Sequence, residues 1–187
     1  LLLSNLPAAL ACNRKPGQEG KLGIALVGLG SYSTYQLAPA LQETKWCYLA
    51  GIVTGTPSKA EKWMKTYGIA EEHVYNYEDF DEIASDNAID IVYVVLPNSM
   101  HAEFSIRAAR AGKHVICEKP MAVSVAECDQ IITACQQAGV KLGMGYRLHS
   151  EPYTREVRRF VEENTFGKVQ FVSADAAYTS RGNPDQW

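Results

Sequence analysis

Paired cysteines are the first thing this chain lacks. Its five cysteines, Cys12, Cys47, Cys117, Cys128 and Cys135, form no C-x-x-C pair and no His-Cys cluster at metal-ligand spacing, so no metal site is expected and the thiols read as core packing. Cys128 and Cys135 fall on one helical face, but seven residues at a rise of about 1.5 Å separate them by about 10 Å, too far for a disulfide. Long apolar runs are also missing: none approaches membrane-spanning length. So is an excess of basic charge. A net charge of −3 and a pI near 5.8 leave no patch for nucleic acid, and basic residues are not interleaved with aromatics. What is present, 187 residues of which 47% are hydrophobic, suffices for one sizeable core, and by length for one domain or slightly more.

The N-terminus stands apart. Leu1 to Cys12 looks like the end of a secretory h-region leading to a small-residue cleavage site, and Ala11-Cys12 also suits a lipoprotein signal with a lipidated cysteine. Either makes the protein periplasmic or exported. The competing reading, a cytoplasmic protein with an apolar arm packing on the domain or on a neighbouring subunit, draws on the missing basic n-region and on Ala9, where a larger aliphatic residue is usual. Asn13 to Gly20 is a polar linker, so residues 1–20 are set aside as a signal-like or arm segment.

From Lys21 the chain alternates strand and helix. Lys21 to Val27, Trp46 to Val53, Ile89 to Leu96, His114 to Cys117 and Val140 to Gly145 are apolar runs of strand length. Thr56 is placed to N-cap a helix with Pro57 at its first position and Gly68 past its end. Gly112 closes a helix from about Met100, and Ser124 with Glu127 forms a capping box for a helix that Gly139 ends. This alternation predicts an α/β fold, a doubly wound parallel sheet with ligands at the carboxyl ends of its strands.

Those strand ends carry the chemistry. After the first run, Gly28-Leu29-Gly30-Ser31-Tyr32-Ser33 meets two of the three glycines of G-x-G-x-x-G: Gly28 permits a tight turn and Gly30 lets the backbone approach a pyrophosphate on the following helix N-terminus. Ser33 replaces the third, which predicts a slightly wider helix–sheet contact, and a ligand-free strand-to-helix turn is the competing reading. The second strand ends Val53-Thr54-Gly55 without the acid that binds an NAD ribose, and Lys59 in the next helical turn can meet a 2′-phosphate, so NADP is preferred to NAD. Pro97 turns the chain over the sheet edge and puts Asn98 and His101 toward the crevice where the nicotinamide half lies. His101 reads equally as a first-turn histidine satisfied by local backbone. Glu118-Lys119-Pro120 holds a lysine at a strand end, either to orient a substrate hydroxyl and help remove its proton or as a structural ion pair.

Taken with Gly145-Tyr146-Arg147-Leu148-His149, these stretches resemble the Gfo/Idh/MocA oxidoreductase family, closest to its glucose-fructose oxidoreductase branch. The likeness runs from Lys21 to Trp187, and Cys117-Glu118-Lys119-Pro120-Met121 is its most specific part. It implies an NADP-binding Rossmann domain over residues 21–145. Residues 146–187 then begin an α+β substrate and oligomerisation domain with a mostly antiparallel sheet, Lys168 to Ala174 being its first strand. It implies cofactor contacts at Gly28, Gly30, Ser31, Tyr32, Thr54, Lys59, Pro97, Asn98, His101, Glu118 and Lys119, and a cofactor-contacting tryptophan at Trp187. Lys119 becomes the catalytic, substrate-orienting residue, and Tyr146 and Arg147 lie near the substrate entrance.

The implied activity is NADP-dependent hydride transfer from an aldose C1 to give a lactone, with a second sugar as a further substrate for reduction, in a homo-oligomer, dimer or tetramer. The alternatives are a polyol or inositol-type dehydrogenase of the same family and a non-catalytic cofactor-sensing regulator. The family's second catalytic residue, a Tyr or His, is expected beyond Trp187, so the chain alone is expected to be inactive and to self-associate through its tail.

Overall fold

The structure, a computed structural model, describes residues 20–175 and Ala177. The signal-like stretch Leu1 to Cys12 and the tryptophan Trp187 lie outside the described residues. The chain divides after Gly145, and the two units are taken separately.

The first unit is a six-stranded parallel sheet: β1 Leu22–Val27, β2 Cys47–Val53, β3 Val74–Tyr75, β4 Ile91–Val94, β5 His114–Cys117 and β6 Leu142–Met144. Its spatial order is β3-β2-β1-β4-β5-β6, so the order reverses between β1 and β4 and a crevice opens outside their carboxyl ends. β4 is shorter than the apolar run suggests. Ladder bonds continue one residue beyond each end, from the Asp90 N–H to the Gly23 carbonyl (2.9 Å) and from the Val95 N–H to the Val27 carbonyl (2.9 Å), and Pro97 then stops the pairing.

Side-chain alternation sends the sheet's two faces into two cores. Ala25, Val27, Val53, Val92, Val94 and Val115 pack with Phe80, Phe104, Ala108 and Ile131. Ile24, Leu26, Leu49 and Ile52 pack on the other face with Leu29, Ala38 and Trp63. The first face is covered by α3 (His101–Arg110) and α4 (Val125–Gln137), the second by α1 (Ala38–Glu43) and α2 (Pro57–Tyr67).

The helix ends follow the local chemistry. Gly68, Gly112 and Gly139 take positive φ of 64°, 74° and 67°, as chain-reversing glycines do. The Ser124 hydroxyl accepts from the Glu127 N–H at 3.2 Å, while the Glu127 carboxylate reaches back to the Val123 N–H at 3.3 Å, one residue earlier than a capping box would have it. Thr56 occupies the N-cap of α2, but its side chain makes no capping bond.

Residues 31–43 wind as one helix, and Ser33–Leu37 within it is a π turn whose Ala38 N–H reaches the Ser33 carbonyl five residues back. Pro39 follows at once. Its ring cannot sit above an ordinary α turn and has no N–H to donate, so the wider turn accommodates it.

At the amino end of the sheet a buried polar hub joins separate loops. Asp86 accepts from Tyr75 (2.9 Å) and from the Ala88 N–H (2.8 Å) and pairs with His73 (2.7 Å), while Lys113 donates to its backbone carbonyl (2.8 Å).

The second unit contains α5 (Pro152–Glu162), N-capped by the Glu151 carboxylate, which accepts from the Tyr153 and Thr154 N–H groups at 3.1 and 2.7 Å. The strand expected over Lys168 to Ala174 does not form: these residues have no regular structure. A strand exists only against a hydrogen-bonded neighbour, and no ladder partner lies beside this segment among the described residues. Val169, Phe171 and Val172 are left exposed.

Candidate functional site

The β1 turn contains two glycines with different reasons for being there. Gly28 has φ +93°, and a Cβ on it would lie 2.5 Å from the Val95 carbonyl of the neighbouring β4 loop, so protein packing demands glycine. Gly30 is exposed, and no protein atom comes within 4 Å of where its Cβ would stand. That open side, beside a helix N-terminus, is what a pyrophosphate needs. Ser31 and Tyr32 open the same helix, Ser31 exposed and Tyr32 half-buried. Ser33 is fully buried, and its hydroxyl donates to the Gly28 carbonyl at 2.6 Å, so the side chain that replaces the third glycine is absorbed into the turn as a tie.

At the carboxyl end of β2, Thr54 is buried, its hydroxyl oxygen accepting from the Thr56 N–H at 3.3 Å, and Lys59 is exposed on the first turn of α2. Beside them opens a cavity of about 480 Å³ lined by Thr54, Gly55, Asn76, Tyr77 and Glu78. The Tyr77 ring lies against Gly55, with 3.1 Å to the place a Cβ would take, and Arg107 of α3 donates to the Tyr77 carbonyl at 2.9 Å, fixing that loop. Sequence reasoning missed this wall. Its signal was the turn-forming Asn76-Tyr77-Glu78-Asp79, in which Asn76 accepts from the Glu78 and Asp79 N–H groups and Asp79 accepts from the Asn76 N–H.

Glu118 and Lys119 part company at the end of β5. Glu118 is only 9% exposed; its carboxylate accepts from the Tyr93 hydroxyl of β4 at 2.6 Å and from the Lys119 N–H at 3.2 Å. Burial and this carboxylate push the Tyr93 phenol well above its ordinary range. Gly145 gives the carboxylate its room, since a Cβ there would stand 2.5 Å from Glu118 Oε1. Lys119 is exposed, and among the described residues its ammonium forms no ion pair, so a structural Glu118–Lys119 bridge is not what holds it. Cys117, just before, is buried and pushed up to about 11 by that burial, which leaves it an unreactive thiol. Tyr93 carried no motif of its own and was missed; Gly145 was noted as the head of Gly145-Tyr146-Arg147-Leu148-His149, but not for the room it gives Glu118.

His101 corrects its expected orientation. It is 1% exposed, with Nε2 2.8 Å from the Leu96 carbonyl and Nδ1 2.7 Å from the Pro120 carbonyl, so it points into the protein and not into the crevice. Both ring nitrogens are occupied, and the reading in which backbone satisfies it is the one the structure has. Pro97 and Asn98 are exposed on the loop after β4. Tyr146 and Arg147, the expected substrate-entrance pair, belong to the second unit, where both are exposed.

Comparison with known proteins follows the same lines. The model of the oxidoreductase family with an NAD-binding Rossmann fold, Gfo/Idh/MocA, matches residues 22–146. The NADP(+) D-xylose 1-dehydrogenase of Haloarcula marismortui is 30% identical over 172 residues, 90% of this chain and 48% of that protein. The aldose-aldose oxidoreductase of Caulobacter crescentus, solved with glycerol, is 48% identical with a TM-score of 0.76, over 77% of this chain and 43% of that one. The 3-ketoreductase KijD10 of Actinomadura kijaniata, solved with TDP-benzene and NADP, is 25% identical with a TM-score of 0.68, over 79% and 45%. The chain thus spans about half the length of the curated relatives it matches. With a strand order that reverses beside a two-glycine turn and a match across the whole sheet, the chain belongs to the Gfo/Idh/MocA oxidoreductase family, on its NAD-binding Rossmann fold.

Proposed function

We propose that this chain is the cofactor-binding part of an NADP-dependent sugar oxidoreductase that moves hydride from an aldose C1 to nicotinamide and leaves a lactone. The observation that carries the reading is Lys119: an exposed ammonium at the end of β5, beside the switch point, whose neighbouring carboxylate is buried and already satisfied. The aldose-aldose oxidoreductase, at 48% identity, supports an aldose as substrate, and the NADP(+) xylose dehydrogenase supports the cofactor.

The residues present fit the cofactor. The open face of Gly30 and the helix N-terminus behind it suit the pyrophosphate, and a β2 end with Thr54 in place of an acid, followed by Lys59, suits a 2′-phosphate. Bound NADP supplies the hydride acceptor. Lys119 orients the C1 hydroxyl and helps draw off its proton as the C–H bond gives up its electron pair, so that a C=O forms where C–OH stood. Glu118 keeps the lysine's backbone in place through its bond from the Lys119 N–H. Export to the periplasm, supported by the character of Leu1 to Cys12, and homo-oligomeric assembly complete the proposal.

The test is nicotinamide absorbance with the product of the complete gene, NADP, and glucose, xylose and inositol in turn. Lys119→Ala should lower aldose turnover about 10²-fold or more, the scale of general acid–base catalysis. Turnover of inositol alone would move the substrate to cyclic polyols, and no reduction with any of the three would overturn the sugar dehydrogenase reading.

A further inference from the structure

The β4–β5 ladder ends at the bond from the Glu118 N–H to the Val94 carbonyl, 3.0 Å. Beyond it the two chains separate into the loops that carry the site. One runs Leu96-Pro97-Asn98, and the other Lys119-Pro120-Met121. A loop past its last ladder bond drifts unless something else ties it, and a catalytic group is useful only when held within about 0.5 Å of its working position.

His101 is that tie. It is the first residue of α3, and its imidazole is fully enclosed, with the Leu96 carbonyl on one nitrogen at 2.8 Å and the Pro120 carbonyl on the other at 2.7 Å. Those carbonyls flank Pro97 on the first loop and Lys119 on the second. The ring is rigid and α3 is anchored by Phe104, Ala108 and Ala109 in the core, so the spacing between the loops is set by the width of one imidazole. Cys117 adds a weaker tie within the second loop, its Sγ 3.5 Å from the Met121 carbonyl.

We infer that His101 is a positioning residue: it touches neither cofactor nor sugar, and it sets where Lys119 stands relative to the β4 loop. This rests on the role given to Lys119 above. A displacement of about 1 Å at a reacting group costs up to about 10²-fold in rate, and loss of the ring that sits between the two carbonyls frees the loops to move by that much.

The experiment is a double-mutant cycle between His101→Phe and Lys119→Ala in the product of the complete gene, read by single-turnover reduction of NADP with an aldose. Phenylalanine keeps the ring volume and removes both ring nitrogens, and with them the N–H that a loop carbonyl accepts from. His101→Phe alone should slow hydride transfer about 10- to 100-fold while NADP affinity changes less than about threefold. In the Lys119→Ala background the same substitution should change the rate less than about twofold. An equal fold-loss in both backgrounds would show that His101 serves the fold alone and would overturn the inference. Unchanged turnover in Lys119→Ala would overturn the role of the lysine first, and the inference with it. If the phenylalanine variant does not fold, His101→Leu, which also lacks the ring nitrogens, takes its place in the same cycle with the same criteria.

Discussion

Removing one oxygen atom from Tyr93 tests the buried carboxylate most directly. In Tyr93→Phe the ring stays and the 2.6 Å hydrogen bond to Glu118 Oε1 goes. Hydrogen bonds to charged groups contribute about 1.5–3 kcal/mol, and the upper half of that range is expected because Glu118 is 9% exposed and, among the described residues, keeps only the Lys119 N–H, on its other oxygen. For a chain of 187 residues, about 2–4 °C of Tm per kcal/mol gives a fall of about 4–12 °C, measurable by circular dichroism of the chain as it stands.

The control is Glu118→Leu. In that background Tyr93→Phe should cost less than about 0.5 kcal/mol, because the partner is gone. Additive losses in the two backgrounds, or a Tm unmoved by Tyr93→Phe, would refute the pairing. The alkaline limb gives a second reading. A phenol whose pKa is raised in the folded state contributes stability that is whole below the unfolded value, about 10, and is lost as pH rises through the folded value. Tyr93→Phe should therefore reduce the loss of stability above about pH 10, with Tyr75, raised by burial and by Asp86, and Tyr77 and Cys117, raised by burial, contributing to what remains. Gly145→Ala reaches the same carboxylate from another strand: its Cβ would stand 2.5 Å from Oε1, and overpacking of about 1–3 kcal/mol is expected in the same melt.

Gly28 and Gly30 should separate cleanly. Gly28→Ala, at φ +93° and 2.5 Å from a backbone carbonyl, should destabilise by about 1–3 kcal/mol or more in urea unfolding, whereas Gly30→Ala should leave the urea midpoint unchanged and weaken NADP binding, measured by titration. NADP should bind at least tenfold more tightly than NAD, about 1.4 kcal/mol, and Thr54→Asp should invert the order by setting a carboxylate against the 2′-phosphate; equal affinities in the parent would refute the role of Thr54 and Lys59. At acid pH the amino-end hub should fail. Burial raises the Asp86 carboxyl, but bonds from His73, the Ala88 N–H and Tyr75 outweigh it and hold it below the ordinary carboxylate range. Its stabilisation is therefore present above the unfolded value, about 3.9, and lost as pH falls through the lower folded value; Asp86→Asn should flatten that limb of the urea midpoint against pH.

Features governed by neighbours along the chain were legible in the sequence. The bounds of β5 follow from His114-Val115-Ile116-Cys117, and the glycines that end α2, α3 and α4 sit where a left-handed residue is needed after the last turn. The glycine turn after β1 and the lysine after β5 were found because each follows an apolar run directly. The π turn was not, although Pro39 inside a helical stretch was its signal, because a proline says that a turn must widen and not how.

Direction was the harder quantity. Placing His101 at the start of α3 follows from Pro97 and the apolar spacing behind it, but which way the ring turns depends on a carbonyl 19 residues on, in a loop whose position is set by the β4–β5 register. The same is true of Tyr93. In sequence it is one more aromatic in an apolar run; it becomes the donor to Glu118 because β4 and β5 pair Tyr93 with Ile116, two residues before the carboxylate, and because the residue that follows β6, Gly145, has no Cβ. Tyr93 lies 25 residues from Glu118, and parallel strands meet only through a crossover, so no local pattern encodes the meeting. A motif at a strand end thus names the loop of the candidate site, while the groups packed against it come from neighbouring strands and are read from register.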